Sequence, residues 1–311
     1  MAALQVRLFG RFDLSLTGGP ATSLHSRRAR ELLCYLVLHH GHPQRRETLA
    51  GLLWDDASPA QAGKHLRQAL WQLQAALRLA LHPLPESEAA EMLEVDPEWV
   101  QLNPSGHLAV DVIRFEAATQ ACHGLNGIRL GETQRSALEH AVELYRGDLL
   151  EGWYQDWCLL ERERLQNDLL DALEKLVCAC EAGFENELGL VHARRMLALD
   201  PAREQVHRHM MRLHQQSGNR TDALREFQRC ERVLKEELGV EPSLQTRSLY
   251  ESIRDGRAKR PEASDGPSTL PSDPRLPELA DLLNRAHHLF ASLESRLQGA
   301  AALTQRPDQP D

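Results

Sequence analysis

Lys64, Gln68, Trp71 and Gln72 lie within nine residues of one another and have the chemistry to read the edge of a base pair. A glutamine amide can pair bidentately with adenine. A lysine can reach guanine or a phosphate, and an aromatic ring can lie on a thymine methyl or the sugar backbone. Leu66, Leu70, Leu73 and Leu77 recur at intervals of 4, 3 and 4 in the same stretch. That is the stripe of a helix burying one narrow face, so the four candidate readers project from the opposite one. Every soluble amphipathic helix has a polar outer face, but a tryptophan there is different. Its apolar surface stays in water unless it meets a partner or a neighbouring strand. Arg67 and Arg78 fall on one flank, where phosphate contact is expected rather than base reading.

The elements that would position this helix are legible around it. Ser58-Pro59-Ala60-Gln61 has the form of a capping box with proline at the first helical position, predicting a helix from Pro59 to Leu79. Two helices precede it. Ser26 can cap the first, whose Leu32, Leu33, Leu36 and Val37 fall at helical spacing before Gly41 and His42-Pro43 stop it. The second is expected from near Gln44, burying Leu49, Leu52, Leu53 and Trp54, with Asp55-Asp56-Ala57 as the turn that follows. This is the punctuation of a helix-turn-helix. Arg27, Arg28 and Arg30 open the first helix and Arg45 and Arg46 the second, beside helix N-termini that can themselves hold phosphate. Residue by residue, a solvated charged face explains these arginines as well.

Charge is divided along the chain. Residues 1–82 hold ten Lys or Arg against five Asp or Glu, whereas residues 83–311 hold 26 against 40, within an overall formal charge of -9. The basic end is the one with the candidate readers.

Strands frame the three helices. Leu4, Val6 and Leu8, then Phe12, Leu14 and Leu16, alternate with polar residues around Gly10, and Thr17-Gly18-Gly19-Pro20 closes the pattern. After the third helix, Met92 to Asp96 and Trp99 to Leu102 read as two short strands joined at Asp96-Pro97-Glu98, the layout of a wing. With these strands, Arg7-Leu8-Phe9-Gly10, Leu52-Leu53-Trp54 and Leu66-Arg67-Gln68 resemble the OmpR-type winged helix of SARP-like bacterial transcriptional activators. The resemblance implies a third helix in the major groove, with Lys64, Arg67, Gln68, Trp71 and Gln72 facing the bases. The chain departs from the pattern at Leu73-Gln74, where such helices often end in Leu-Arg. It departs again in the wing, where Glu86, Glu88, Glu91, Glu94, Asp96 and Glu98 replace basic residues, which speaks against minor-groove insertion.

From Asp111 to about Gly256 leucine, alanine and arginine dominate, predicting an all-helical region. Gly189 and Ala223, Ala193 and Phe227, and Met196 and Cys230 are each 34 apart, and Gly183, Gly218 and Pro201 supply turns. That period fits tetratricopeptide-like helix pairs, which bury their faces by stacking. Leu144-Tyr145-Arg146-Gly147-Asp148-Leu149-Leu150, Glu161-Arg162-Glu163-Arg164-Leu165, Asp200-Pro201-Ala202-Arg203-Glu204 and Glu237-Leu238-Gly239-Val240-Glu241-Pro242 resemble the bacterial transcriptional activator domain, in its order. This resemblance implies a module for protein interaction and oligomerisation fused to a DNA reader.

The expected fold is therefore mainly α. An α+β winged helix-turn-helix over 1–110 precedes an all-α, tetratricopeptide-like domain over 111–256. Residues 257–275, rich in Pro, Ser, Asp and Gly, read as a flexible linker. Leu276, Leu279, Leu283, Ala286, Phe290, Leu293 and Leu297 keep a 3-4 rhythm within an expected amphipathic or coiled-coil helix over 276–298. That segment could equally pack back on the helical domain, and 299–311 read as disordered.

The longest apolar run, Leu32 to Leu38, is too short to cross a bilayer, and no secretory signal is visible. Six scattered cysteines without a C-x-x-C pair read as buried thiols of a reducing cytoplasm. His39, His40 and His42, or His207, His209 and His214, lack the i, i+4 pair with a carboxylate that a zinc site of the zincin kind requires. No phosphate loop, dinucleotide fingerprint or nucleophile elbow occurs, so no catalytic residue, cofactor or metal is assigned.

The expectation is a cytoplasmic, non-enzymatic regulator, an activator by resemblance, whose partners are double-stranded DNA, RNA polymerase and a second copy of itself, with no membrane. The acidic wing and negative net charge keep open a helical interaction adaptor that does not read DNA. A third reading is a ligand sensor or enzyme using a helical pocket.

Overall fold

Alternation of Leu4 and Val6 with polar neighbours makes β1 (Leu4–Arg7), which pairs antiparallel with β2 (Asp13–Leu16), Val6 lying opposite Leu14. A computed structural model describes residues 4–16, 24–80, 92–103 and 108–256. The Thr17–Pro20 turn, Glu86, Glu88 and Glu91 of the wing, and the linker and tail beyond 256 lie outside the described residues. After β2 come α1 (Arg27–Leu38), the two-residue strand β3 (Gln44–Arg45), α2 (Arg46–Leu53) and α3 (Pro59–Ala80). Next are β4 (Leu93–Val95), β5 (Trp99–Leu102) and β6 (Leu108–Val110). They form two three-stranded sheets, ordered β2-β1-β6 and β3-β5-β4, with β6 parallel to β1.

Ser26 caps α1 as expected, its hydroxyl accepting the Ala29 amide N–H at 3.3 Å. The second helix differs from expectation in two ways. Gln44 and Arg45 are not helical but pair antiparallel with Val100 and Trp99 of the wing, so the helix starts at Arg46. Cross-strand pairing there satisfies backbone groups that a helix start would have left open. Leu52, expected in the core, is 38% exposed. In so short a helix, Leu49, Ala50 and Leu53 already complete the inward face, and Leu52 lies about 100° round from its centre.

The rest is helical: α4 (Asp111–Ala121), a 3-10 turn (Gly127–Arg129), α5 (Glu132–Leu144) and the long α6 (Asp156–Ala182). Then follow α7 (Asn186–Leu199), α8 (Glu204–Gln216), α9 (Arg220–Val233), a π turn (Leu234–Leu238) and α10 (Leu244–Arg254). All six residues of the 34-residue repeat are buried. At Gly189 an added Cβ would stand 3.0 Å from Leu213 and 3.1 Å from Cys180, so α7 crosses its neighbours with no room for a side chain.

One continuous core runs from Leu4 to Leu213, joining the three-helix region to the helical layers. The seam is made by the motifs that carry the family resemblance. Gly10 N–H donates to the Asp148 carbonyl at 2.9 Å, Leu150 N–H to that of Leu8 at 2.8 Å and Glu151 N–H to that of Gly10 at 2.8 Å. The Phe9 ring lies 4.4 Å from Tyr145 and 5.3 Å from Phe115, centroid to centroid. Asp111 opens α4 and accepts the amide N–H groups of Leu8, Phe9 and Val112 at 2.8–3.0 Å. Burial pushes its carboxyl above the usual range, against the pull of those amides.

The histidines of α8 serve the packing in different ways. His207 is buried with Glu226, 2.7 Å from its carboxylate, and its other ring nitrogen lies 3.0 Å from the Pro201 carbonyl. His209 contacts Glu181 at 2.5 Å and Cys178 at 4.0 Å. Burial works against its charged form, but these contacts prevail and push it up to about 9. Because that lies above the unfolded value, the pair stabilises fully below about pH 6.5 and the contribution is lost as pH rises through about 9. His209→Gln should therefore cost on the order of 2 kcal/mol at pH 6, a gap that closes towards pH 10. Urea unfolding of both proteins at each pH tests this, and a gap constant with pH would refute the assignment.

Candidate nucleic-acid interface

The α3 helix begins where proline can begin one, at Pro59, with the Ala62 amide N–H bonded to the Ser58 carbonyl at 2.8 Å. Its stripe is buried as expected, with Leu66, Leu70, Leu73 and Leu77 all at 3% exposure or less. The opposite face is open. Lys64, Arg67 and Gln68 are exposed, Trp71 is 69% exposed, and Gln72 is half-buried. No hydrogen bond, ion pair or ring contact engages Lys64, Arg67, Gln68, Trp71 or Gln72 among the described residues.

The five arginines are placed less uniformly. Arg27 and Arg28 both reach back to Glu31, at 2.9 and 2.7 Å, and the Glu31 side chain is only 1% exposed. Gln155, ahead of α6, donates a third bond to the same carboxylate at 3.2 Å. Glu31 thus ties α1 to the helical layers and holds both guanidinium groups at the surface, Arg27 still 77% exposed. Arg28 also lies 5.8 Å from the Trp54 ring centre. The Arg30 Nε is buried without a hydrogen-bond partner among the described residues.

Arg45 and Arg46 hold the wing instead of both opening a helix. Arg45 projects from β3 and stacks over Trp99, 5.2 Å from the ring centre. Arg46 donates its backbone N–H to the Glu98 carbonyl and its guanidinium to that of Asp96, each at 2.9 Å. The Asp96 carboxylate accepts the Glu98 and Trp99 amides at 2.8 and 2.7 Å, which closes the turn between β4 and β5. Asp96 is therefore a turn-former as well as an acidic residue in the wing.

Between α2 and α3 runs a groove of about 730 Å³. Ala50, Gly51, Ala62 and Gly63 are among the small residues lining it, with Arg46 and Arg67 as its cationic side chains. Sequence reasoning missed Glu31, Gln155, Trp99 and Asp111 as the residues that position this region. Only Glu31 carried a local signal, its i,i+3 and i,i+4 spacing from two arginines.

A three-helix unit with a β-wing is continuous in this fold with stacked tetratricopeptide-like helices. Residues 110–254 match the bacterial transcriptional activator domain. The chain is 25% identical over 255 residues to the transcriptional regulatory protein MoaR1 of Mycobacterium tuberculosis, covering 81% of this chain and 79% of MoaR1. It is 25% identical over 260 residues to the regulatory protein DnrI of Streptomyces peucetius, covering 80% of this chain and 92% of DnrI. With the regulatory protein AfsR of Streptomyces coelicolor it shares 26% identity over 76% of this chain but only 23% of AfsR. In fold it is similar to Mycobacterium tuberculosis EmbR, solved in complex with a low affinity phosphopeptide, at a TM-score of 0.67 and 21% identity over 82% of this chain and 66% of EmbR. Together these matches make the chain similar to SARP-type transcriptional regulators, with residues 110–254 matching the bacterial transcriptional activator domain. Among the described residues no helix is long and apolar enough to cross a membrane.

Proposed function

We propose that the chain is a sequence-specific activator that reads duplex DNA with α3 in the major groove. The observation that carries this reading is the unpartnered outer face of α3, where a tryptophan 69% exposed stands among Lys64, Arg67 and Gln68, opposite a fully buried leucine stripe. Lys64, Gln68, Trp71 and Gln72 supply base discrimination, and Arg67 reaches phosphate beside them. Arg27, Arg28, Arg30, Arg45 and Arg46 fix the register on the backbone, the first two with one of their charges offset by Glu31. Residues 1–110 act as the reader and 111–256 as the module for oligomerisation and contact with RNA polymerase. Two copies then occupy half-sites about 10 base pairs apart, as direct repeats. The activity is cytoplasmic and calls on no cofactor, metal or catalytic residue.

Substitutions separate the two kinds of contact. Gln72→Ala should change the preferred sequence, costing about 1–3 kcal/mol at the position it reads. Arg45→Ala should weaken all sequences alike and lower the salt slope by about one. Titration of both variants against a panel of duplexes at several salt concentrations is the test. Equal loss on every sequence from Gln72→Ala would remove its reading role.

Exposed Glu94, Asp96 and Glu98 beside Arg45 favour a second reading, in which the winged unit binds protein and the chain is an interaction adaptor. Salt-dependent binding to arbitrary duplex argues against it.

A further inference from the structure

We propose that the groove between α7, α8 and α9 is a binding site for a small phosphate-bearing ligand, which goes beyond the DNA-reading role and does not rest on it. Its volume is about 340 Å³. Three guanidinium groups converge on it, Arg194 from α7 and Arg225 and Arg229 from successive turns of α9, with His214 of α8 between them. The three helices that form it, residues 186–233, hold nine Arg against six Asp or Glu, a basic stretch within a part of the chain, 83–311, that is acidic overall.

The two acids in the groove do not consume this charge. Arg225 meets Asp222 at 3.2 Å and Arg229 meets Glu226 at 3.1 Å, yet their side chains remain 68% and 65% exposed. Glu226 also serves His207, at 2.7 Å, through its other oxygen. Arg194 is exposed and has no ion pair or hydrogen bond among the described residues. His214 lines the same groove. Ordinary surface ion pairs between neighbouring turns do not account for the unpaired arginine.

An oxyanion accounts for it. Guanidinium forks match the tetrahedral oxygens of phosphate and bind it bidentately, and an imidazole N–H can donate to a further oxygen. The volume lies at the small end of ligand pockets, enough for a phosphoryl group and a compact remainder but not for an extended chain. The chemistry thus selects a small phosphate monoester or diphosphate.

The test is thermal unfolding of the full chain with inorganic phosphate, pyrophosphate or AMP, against sodium chloride at matched ionic strength. The expected result is a saturable rise in midpoint with at least one phosphate probe and none with chloride. Arg194→Gln, which breaks no hydrogen bond or ion pair among the described residues, should leave the ligand-free midpoint unchanged and weaken the probe about tenfold or more. In ¹⁵N-imidazole spectra the His214 ring resonances should move on titration. No saturable stabilisation by any of the three, or stabilisation equal in chloride, overturns the proposal. So does a probe affinity unaltered by Arg194→Gln with a stationary His214 signal. Displacement of the bound probe by short duplex DNA would identify the cluster as a second nucleic-acid contact and also overturn it.

Discussion

Replacing Arg162 by alanine should destabilise the chain by roughly 3–5 kcal/mol and lower the unfolding midpoint by about 10 °C. Its guanidinium donates to the carbonyls of Leu149, Leu150 and Trp153 at 2.8–3.1 Å, twice to the first. These carbonyls belong to the segment between α5 and α6 that turns back on the Leu8–Gly10 strand end. Leu150 within it is held at φ 49, in the left-handed region that a branched side chain rarely occupies. Its own side chain is fully buried, so the strained backbone places a leucine in the core while Arg162 gathers the carbonyls left over. Lysine should not rescue the site, because one ammonium cannot span three acceptors that a planar fork reaches together. Thermal unfolding followed by circular dichroism tests this, and a loss below about 2 °C would mean that the loop holds itself.

Phe9→Ala should cost about 3–5 kcal/mol, the loss for a buried aromatic whose cavity cannot collapse. Phe9 is 4% exposed and packs on Phe115 of α4 and on Tyr145 just after α5, so its ring joins the β1 end to two helices of the stacked layer. Phe9→Leu should recover most of the loss, since it fills much of the volume. Urea denaturation separates the possibilities. A smaller m-value or two transitions in Phe9→Ala would show that the winged unit and the helices had come apart, whereas one transition at lower midpoint would show that the seam is weakened but kept.

What could be read from the sequence was what the chain encodes locally. The α3 stripe, the Ser26 cap and the proline start all lie within a turn or two of the residues they affect, and periodicity alone divides Leu66 from Trp71. The repeat relation between Gly189 and Ala223 was legible for the same reason, because each position is set by its own helix pair. The seam was not legible. Asp111 holds the Leu8 amide across 103 residues, and Gln155 meets Glu31 across 124, and no pattern in either segment announces the other. Strand β3 was missed because two residues carry no period, and its pairing depends on the wing more than 50 residues later. At the candidate interface the outer face of α3 was readable, but the division of the arginines was not. Which of them are partly occupied by Glu31, by the Asp96 carbonyl or by Trp99 is decided by tertiary packing.

Sequence reading by α3 is tested most directly by incubating the purified chain with genomic fragments at physiological salt and sequencing what is retained. The account predicts enrichment of one motif, arranged as direct repeats about 10 base pairs apart, and its loss in a Lys64→Ala, Gln72→Ala double variant that still folds. Retention of arbitrary fragments without a motif, or a motif unchanged in the double variant, would contradict it.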